Sequence, residues 1–163
     1  MTTPYIFHCE DDWQFSRKGF IQESLELLKA FDDVVMVGLR KPDEMPPEAL
    51  NHDIKVFNGI RFRHLGTDKH PEWFGISFNP GLKRLSDYKK IGTYAKIGQE
   101  HDISLYFKSL GYRMIMLEDG GVTHLGKNRT VRDPFQSWRP ITRPEKWANS
   151  IRKRLYKYGI LKK

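Results

Sequence analysis

Short apolar runs of strand length alternate with segments of helical periodicity in the first part of the chain. Residues 5–9 and 34–39 are apolar runs that predict strands, and the second is continuous enough for a strand covered on both faces. Between them, apolar side chains recur at helical spacing from Arg17 to Phe31, with Ser16 as the expected N-cap. The order strand, helix, strand predicts an α/β fold.

The middle of the chain contains the clearest turn. Asn58-Gly59 separates two apolar runs, and this dipeptide supplies the positive φ angles of a tight hairpin turn. The other predicted elements are a loop at 41–50, strands at 73–78, 112–117 and 122–125, helices at 82–91, 99–110 and 145–158, and a basic loop at 126–138. We therefore expect a mixed sheet flanked by helices.

Composition removes several classes of protein. A chain of 163 residues suits one domain, and no run approaches the roughly 18 apolar residues that a membrane span needs. Cys9 is the only cysteine, which excludes a disulfide scaffold. These features predict a cytoplasmic domain without a signal peptide.

The net charge of +8 is concentrated at the C-terminus. Residues 143–163 carry eight basic side chains against Glu145 alone, so the rest of the chain is almost neutral. We therefore predict a body at 1–142 and a basic C-terminal helix at 143–163. Because a nucleic-acid reader usually presents a basic face across its fold, nucleic acid is not an expected partner.

Three adjacent carboxylates follow the first predicted strand. Glu10, Asp11 and Asp12 repel one another, and a hard divalent cation relieves that repulsion through oxygen ligands. Ligands also collect at the carboxyl ends of strands in α/β sheets. The alternative is a solvated acidic turn that begins the next helix.

Two further positions have residues suited to catalysis. Glu100 and Asp102 lie at the start of a predicted helix, where a carboxylate serves as a general base or simply caps free amides. His124 lies in a short apolar strand, where an imidazole completes a metal site or forms a hydrogen bond in the core.

Basic and aromatic side chains suggest how a ligand would be held. Three residues of the basic loop would clamp a diphosphate or would simply face solvent: Lys127, Arg129 and Arg132. Four aromatic residues would form a surface on which a sugar stacks, or would pack in the core: Trp73, Phe74, Phe78 and Trp138.

In order along residues 4–134, these features resemble the catalytic C-terminal portion of a GT-A-type, family 2-like glycosyltransferase. Residues 5–13 look like the strand with that fold's DxD-type motif, in a Glu-Asp-Asp variant. Residues 98–105 look like the helix start that holds the base, and 120–126 like the segment with a metal-binding histidine. The resemblance implies a partial GT-A, Rossmann-like fold.

The resemblance also implies a role for each residue. Asp12 and His124 would bind Mn²⁺ or Mg²⁺, while Glu10 and Asp11 would support the metal or contact the nucleotide ribose. Glu100 would deprotonate the acceptor hydroxyl, with Asp102 as its neighbour or substitute, and the anomeric configuration would invert. The basic loop (Lys127, Arg129 and Arg132) would close over the diphosphate of a nucleotide-sugar donor. The donor sugar and the acceptor, which would be a glycan, a lipid or a protein, would lie near three residues: Trp73, Gly75 and Asn79.

Two departures from the family pattern define the rival interpretation. Gln99-Glu100 replaces the family's acidic pair, and the nucleotide-binding half expected before the DxD strand is absent. The chain would then be a fragment, a second chain would supply that half, or the protein would be a catalytically incomplete remnant that acts as an interaction module. The C-terminal helix has apolar residues at helical spacing, so it would pack on its own domain or lie peripherally on an anionic membrane.

Overall fold

The computed structural model describes residues 3–45, 49–66 and 75–125, together with Pro144, Trp147, Ala148 and Ile151. The chain forms two compact units, Met1–Gly126 and Lys127–Lys163. In the second unit the four described residues are helical, and Trp147 is 71% exposed. The division lies earlier in the chain than the boundary expected at residue 142.

The described residues of the first unit form eight strands and four α-helices. The strands are β1 Tyr5–His8, β2 Trp13–Phe15, β3 Val34–Gly38, β4 Leu50–Phe57, β5 Ile60–Leu65, β6 Gly81–Arg84, β7 Arg113–Leu117 and β8 Val122–His124. The helices are α1 Phe20–Ala30, α2 Leu85–Ile91, α3 Tyr94–Ile97 and α4 Glu100–Ser109, with a 3₁₀ turn at Pro42–Glu44.

Six of these strands form one mixed sheet. Their order is β1-β6-β3-β7-β5-β4, in which only β3 and β7 pair in parallel. The other two strands, β2 and β8, form a small antiparallel sheet of their own. The expected α/β class, with a mixed sheet flanked by helices, is confirmed.

Two hydrophobic clusters hold the helices to the large sheet. Leu27 and Leu28 of α1 pack in one cluster with Phe62 of β5, while Ile103 and Phe107 of α4 pack in the other. The strand β3 is buried along its whole length and contributes to both clusters. This burial explains the continuous apolar run from which the strand was predicted.

The predicted hairpin is also confirmed. Asn58 and Gly59 have φ angles of 49° and 80° and connect β4 to β5. Few residue types tolerate positive φ angles, so the dipeptide Asn58-Gly59 alone was sufficient to predict the turn. The strand β4 begins at Leu50, earlier than the apolar run alone suggested.

The predicted start of the first helix is wrong. Residues 13–15 form β2, and α1 begins only at Phe20 after Gly19, whose φ is +85°. Ser16 is therefore not an N-cap. The Ser16 backbone N–H donates to the Gly121 carbonyl at 3.0 Å, and the left-handed Gly19 then separates this segment from the helix.

The prediction for residues 75–84 also needs correction. Residues 75–80 are not in a strand, and Gly81–Arg84 form β6 between β1 and β3 instead of beginning a helix. The turn at Asn79-Pro80-Gly81 thus precedes a strand. At the end of β6, the Arg84 guanidinium donates hydrogen bonds to the carbonyls of Leu28, Phe31 and Val34.

The buried face of α4 differs from the stripe of Ile103, Tyr106, Phe107 and Leu110 that helical spacing predicts. Ile103 and Phe107 are buried as expected, but Tyr106 is 44% exposed and Leu110 is 50% exposed. Buried Ser104 takes part in the packing face, where its Oγ accepts the backbone N–H groups of Gly75 and Ile76. Among the residues described, no helix is long and apolar enough to cross a membrane.

His64 of β5 makes the stability depend on pH. Its ring is 8% exposed, and burial together with the charges of Arg113 and Lys55 lowers its pKa to about 4, against an effect of Asp33 that raises it. As the pH falls, the His64 ring takes up a proton in the unfolded chain before it does so in the folded chain. The stability that neutral His64 contributes is therefore complete above about pH 6.5 and is lost as the pH falls toward 4.

We expect the wild type to lose about 2 kcal/mol more stability than His64→Gln between about pH 7 and pH 4.5, after allowing for solvent screening. Urea unfolding at each pH measures this difference. His101→Gln, at an exposed position, should follow the wild-type profile. Identical profiles for the wild type and His64→Gln would contradict the prediction.

Candidate functional site

The fold brings together the two residues that were expected to bind a metal. The carboxylate Oδ2 of Asp12 lies 2.8 Å from Nε2 of the His124 ring, although the residues are 112 positions apart. The side chains are 44% and 30% exposed, so the pair can be reached from solvent. Sequence proximity cannot explain this contact, which depends on the tertiary fold.

The small sheet is what positions this pair. Trp13 faces His124 in the register of β2 and β8, and the two rings lie 4.6 Å apart. The Asp12 carbonyl also accepts the backbone N–H of Leu125 at 2.8 Å. Asp12 and His124 are therefore held by backbone pairing and ring packing together.

One atom of the pair has no partner within the described part of the chain. Asp12 Oδ1 is buried and makes no hydrogen bond, whereas Oδ2 contacts His124. A buried carboxylate oxygen without a partner is costly, and a divalent cation would satisfy it. The oxygen and imidazole donors of this pair fit Mn²⁺ or Mg²⁺.

The other two acidic residues do not join this pair directly. Glu10 Oε2 accepts the indole N–H of Trp13 at 3.3 Å, and Asp11 is exposed. Within residues 3–45, 49–66 and 75–125, no group of three or more His, Cys, Asp or Glu side chains is arranged to hold a metal ion. Asp12 and His124 would therefore supply two ligands, and the remainder would come from substrate or water.

The two candidate bases lie at the start of α4, where they have different environments. Glu100 is exposed, and its Oε1 accepts the backbone N–H of Phe78 at 2.7 Å. Asp102 forms a capping box with Gln99, whose backbone N–H it accepts at 3.2 Å. Since capping already accounts for Asp102, Glu100 is the better candidate for a base.

Sequence reasoning missed two residues near Glu100. Lys83 of β6 is buried, and its Nζ lies 5.3 Å from the centre of the Phe78 ring. The His8 ring lies 5.8 Å from the same ring. Strand alternation along β6 puts Lys83 on the face opposite Leu82, and only the tertiary packing shows that this face is also buried.

Electrostatics connects these residues with Glu100. Burial lowers the pKa of Lys83 to about 8, while the Glu100 carboxylate raises it. Burial and then the Lys83 charge lower the pKa of His8, while Glu10, the Phe78 backbone and Glu100 raise it. The end of β1 and the start of α4 thus share one electrostatic environment.

The remaining site predictions divide into two groups. Gly75 is buried against the backbone of α4, and the Asn79 backbone N–H donates to Ser77 Oγ at 3.1 Å. The other predicted residues lie outside the described part of the chain: Trp73, Phe74, Lys127, Arg129, Arg132 and Trp138.

Comparison of the chain with protein-family models, curated proteins and solved structures found no match.

Proposed function

We propose that this chain carries the catalytic portion of a metal-dependent glycosyltransferase with a partial GT-A fold. The observation that supports this most strongly is the contact between Asp12 and His124. The order of motifs along the sequence anticipated this contact across 112 residues. An acidic turn without function would not require it.

The placement of Glu100 supports its role as the general base of the proposed transferase. Glu100 begins the helix α4, which packs on the large sheet through Ile103 and Phe107. The hydrogen bond from the Phe78 backbone fixes one oxygen of the carboxylate, and the other is available to a substrate. A rigid helix with a positioned carboxylate is the arrangement that general-base catalysis needs.

In the proposed reaction, Glu100 takes the proton of the acceptor hydroxyl as its oxygen attacks the anomeric carbon of the donor. The bond from that carbon to the diphosphate breaks, and the nucleoside diphosphate leaves with the electron pair. A divalent metal, when bound by Asp12 and His124, would offset negative charge on this leaving group. Direct attack by the acceptor inverts the anomeric configuration.

An interaction role is the second candidate, and the exposed edge of the sheet favours it. The strand β1 is at one end of the described sheet, and two nearby aromatic side chains are exposed, Phe7 by 38% and Phe15 by 49%. Their rings lie 6.2 Å apart. An unpaired edge beside an apolar patch favours association, so a second chain or segment would pair along β1.

A thermal-shift titration of the purified chain tests the transferase. With Mn²⁺, we expect one nucleoside diphosphate or nucleotide sugar to raise the melting temperature by about 5 °C at saturation, because ligand binding stabilises the folded state. A chelator should remove the shift. The nucleotide that gives the shift would identify the donor class.

The controls separate the two candidate functions. Mn²⁺ without nucleotide, and nucleotide without Mn²⁺, should each give a smaller shift than the two together. A nucleotide shift that persists in chelator would argue against the metal site. If no nucleotide has an effect but a second chain binds along β1, the interaction role is favoured instead.

A further inference from the structure

A buried lysine lies beside the proposed base, and the transferase reaction as described does not use it. Lys83 is 5% exposed, and within the described residues its ammonium has no hydrogen bond or ion pair. Its polar environment consists of the face of the Phe78 ring and the field of Glu100. An ammonium group on a largely buried side chain normally has a charged or hydrogen-bonding partner or reaches water.

A second unpaired nitrogen lies on the same face of the sheet. Lys83 is opposite Ile6 in the register of β1 and β6, and His8 is two residues further along β1. Side chains two apart on a strand share a face, and His8 is opposite Gly81, which has no side chain to separate them. The Nε2 atom of His8 is buried and has no partner within the described residues.

We propose that the Lys83 ammonium and His8 Nε2 form a subsite for an anionic substituent, a carboxylate or a phosphate, on the sugar acceptor. This subsite deepens the proposed transferase and rests on it for the identity of the acceptor. An incoming anion would pair with the Lys83 ammonium and would accept a hydrogen bond from His8 Nε2 when that nitrogen carries a proton. The Phe78 ring, which contacts both residues, forms an apolar wall of the subsite.

The position of the subsite assigns it to the acceptor and not to the donor. Phe78 packs with the cluster on the α4 side of the large sheet, where Glu100 begins its helix. The molecule whose hydroxyl reaches Glu100 would therefore place its anionic group at Lys83.

Glu100 does not remove the need for a partner. No ion pair joins it to Lys83 within the described residues, and one of its oxygens already accepts the Phe78 N–H. An acceptor would place its hydroxyl at the free Glu100 oxygen and its anionic group at Lys83. A neutral sugar would leave the ammonium unpaired, so the subsite discriminates by charge.

Nuclear magnetic resonance of the full chain with ¹³C-labelled lysine tests this proposal. The probes are glucuronate and glucose 6-phosphate, with glucose as the neutral match, and neither metal nor nucleotide is added. We expect one anionic sugar to shift the Lys83 signal saturably, at least about tenfold more tightly than glucose. The two anionic probes distinguish a carboxylate from a phosphate subsite.

Lys83→Met is expected to abolish the preference for the anionic sugar, because it removes the charge and keeps the length of the side chain. Lys90→Met is the matched control, since Lys90 is 60% exposed and paired with Asp87. His8→Phe should weaken anionic-sugar binding at least about threefold, and it provides a second test if Lys83→Met does not fold. Equal binding of charged and neutral sugars, or no shift with any probe, would overturn the subsite.

The outcome is independent of the nucleotide experiment. A nucleotide shift with Mn²⁺ but no response to anionic sugars overturns the subsite and leaves the transferase intact. A response to anionic sugars without any nucleotide shift supports the subsite and overturns its assignment to a transferase acceptor.

Discussion

Asp12→Asn is expected to weaken Mn²⁺-dependent nucleotide binding by about 100-fold, which corresponds to about 2.7 kcal/mol. The substitution keeps the shape of the side chain and removes the charge that a divalent cation needs. The amide keeps one oxygen but carries no negative charge, so it is a weaker ligand for a divalent cation. Calorimetric titration with the nucleotide found by thermal shift measures the loss.

Asp119→Asn is the matched control for this experiment. Asp119 is 67% exposed and lies 4.0 Å from Arg61, so the same change there should leave binding within about twofold of the wild type. His124→Gln should also weaken binding, and the double variant should lose less than the sum of the two single effects, since both side chains serve one ion. Additive losses, or wild-type binding by Asp12→Asn, would refute the shared site.

Gly75→Ala is expected to lower the free energy of unfolding by about 3 kcal/mol, at the upper end of overpacking effects. A Cβ at Gly75 would overlap the carbonyl oxygen of Ser104 and lie 3.1 Å from the Lys108 nitrogen. Both atoms belong to the backbone of α4, which cannot rotate away. Urea unfolding of the two proteins measures the change.

Gly111→Ala serves as the comparison, because it makes the same substitution without a clash. Gly111 has a φ of +81° and nothing within 4 Å of an added Cβ, so only the left-handed conformation costs stability, about 1 kcal/mol. Equal losses in the two variants would show that the close approach of Gly75 to α4 is not what requires glycine. The result also explains why Gly75 needs no sugar-binding role to account for its identity.

Long, uniform patterns were the part of the fold that could be predicted. The strand β3 is covered on both faces, so each of its residues had to be apolar and the run was visible. The hairpin at Asn58-Gly59 was visible because positive φ angles restrict the residue types that fit. The helix α4 was found from its spacing, although its buried face includes Ser104 where a stripe of apolar residues was expected.

Short strands with long-range partners could not be predicted. The strands β2 and β6 have three and four residues, and their pairing energy comes from β8, β1 and β3. Such segments carry no periodicity long enough to outweigh a neighbouring helical pattern. The helix assigned to 82–84 was wrong for this reason, and the helix start at Ser16 was wrong because the Ser16 N–H pairs with the Gly121 carbonyl.

The candidate site shows the same division. Asp12, Glu100 and His124 were found as chemical types at the ends of predicted elements, whereas Lys83 and His8 were missed because their interest depends on burial. Sequence alone determined the α/β class, the hairpin and the identity of the candidate groups, because these follow from local conformation and composition. Tertiary structure decided that Asp12 meets His124, that Asp102 caps a helix and that Lys83 is buried without an ion pair within the described residues. Contacts between residues far apart in the chain depend on sheet register and packing, which no local pattern encodes.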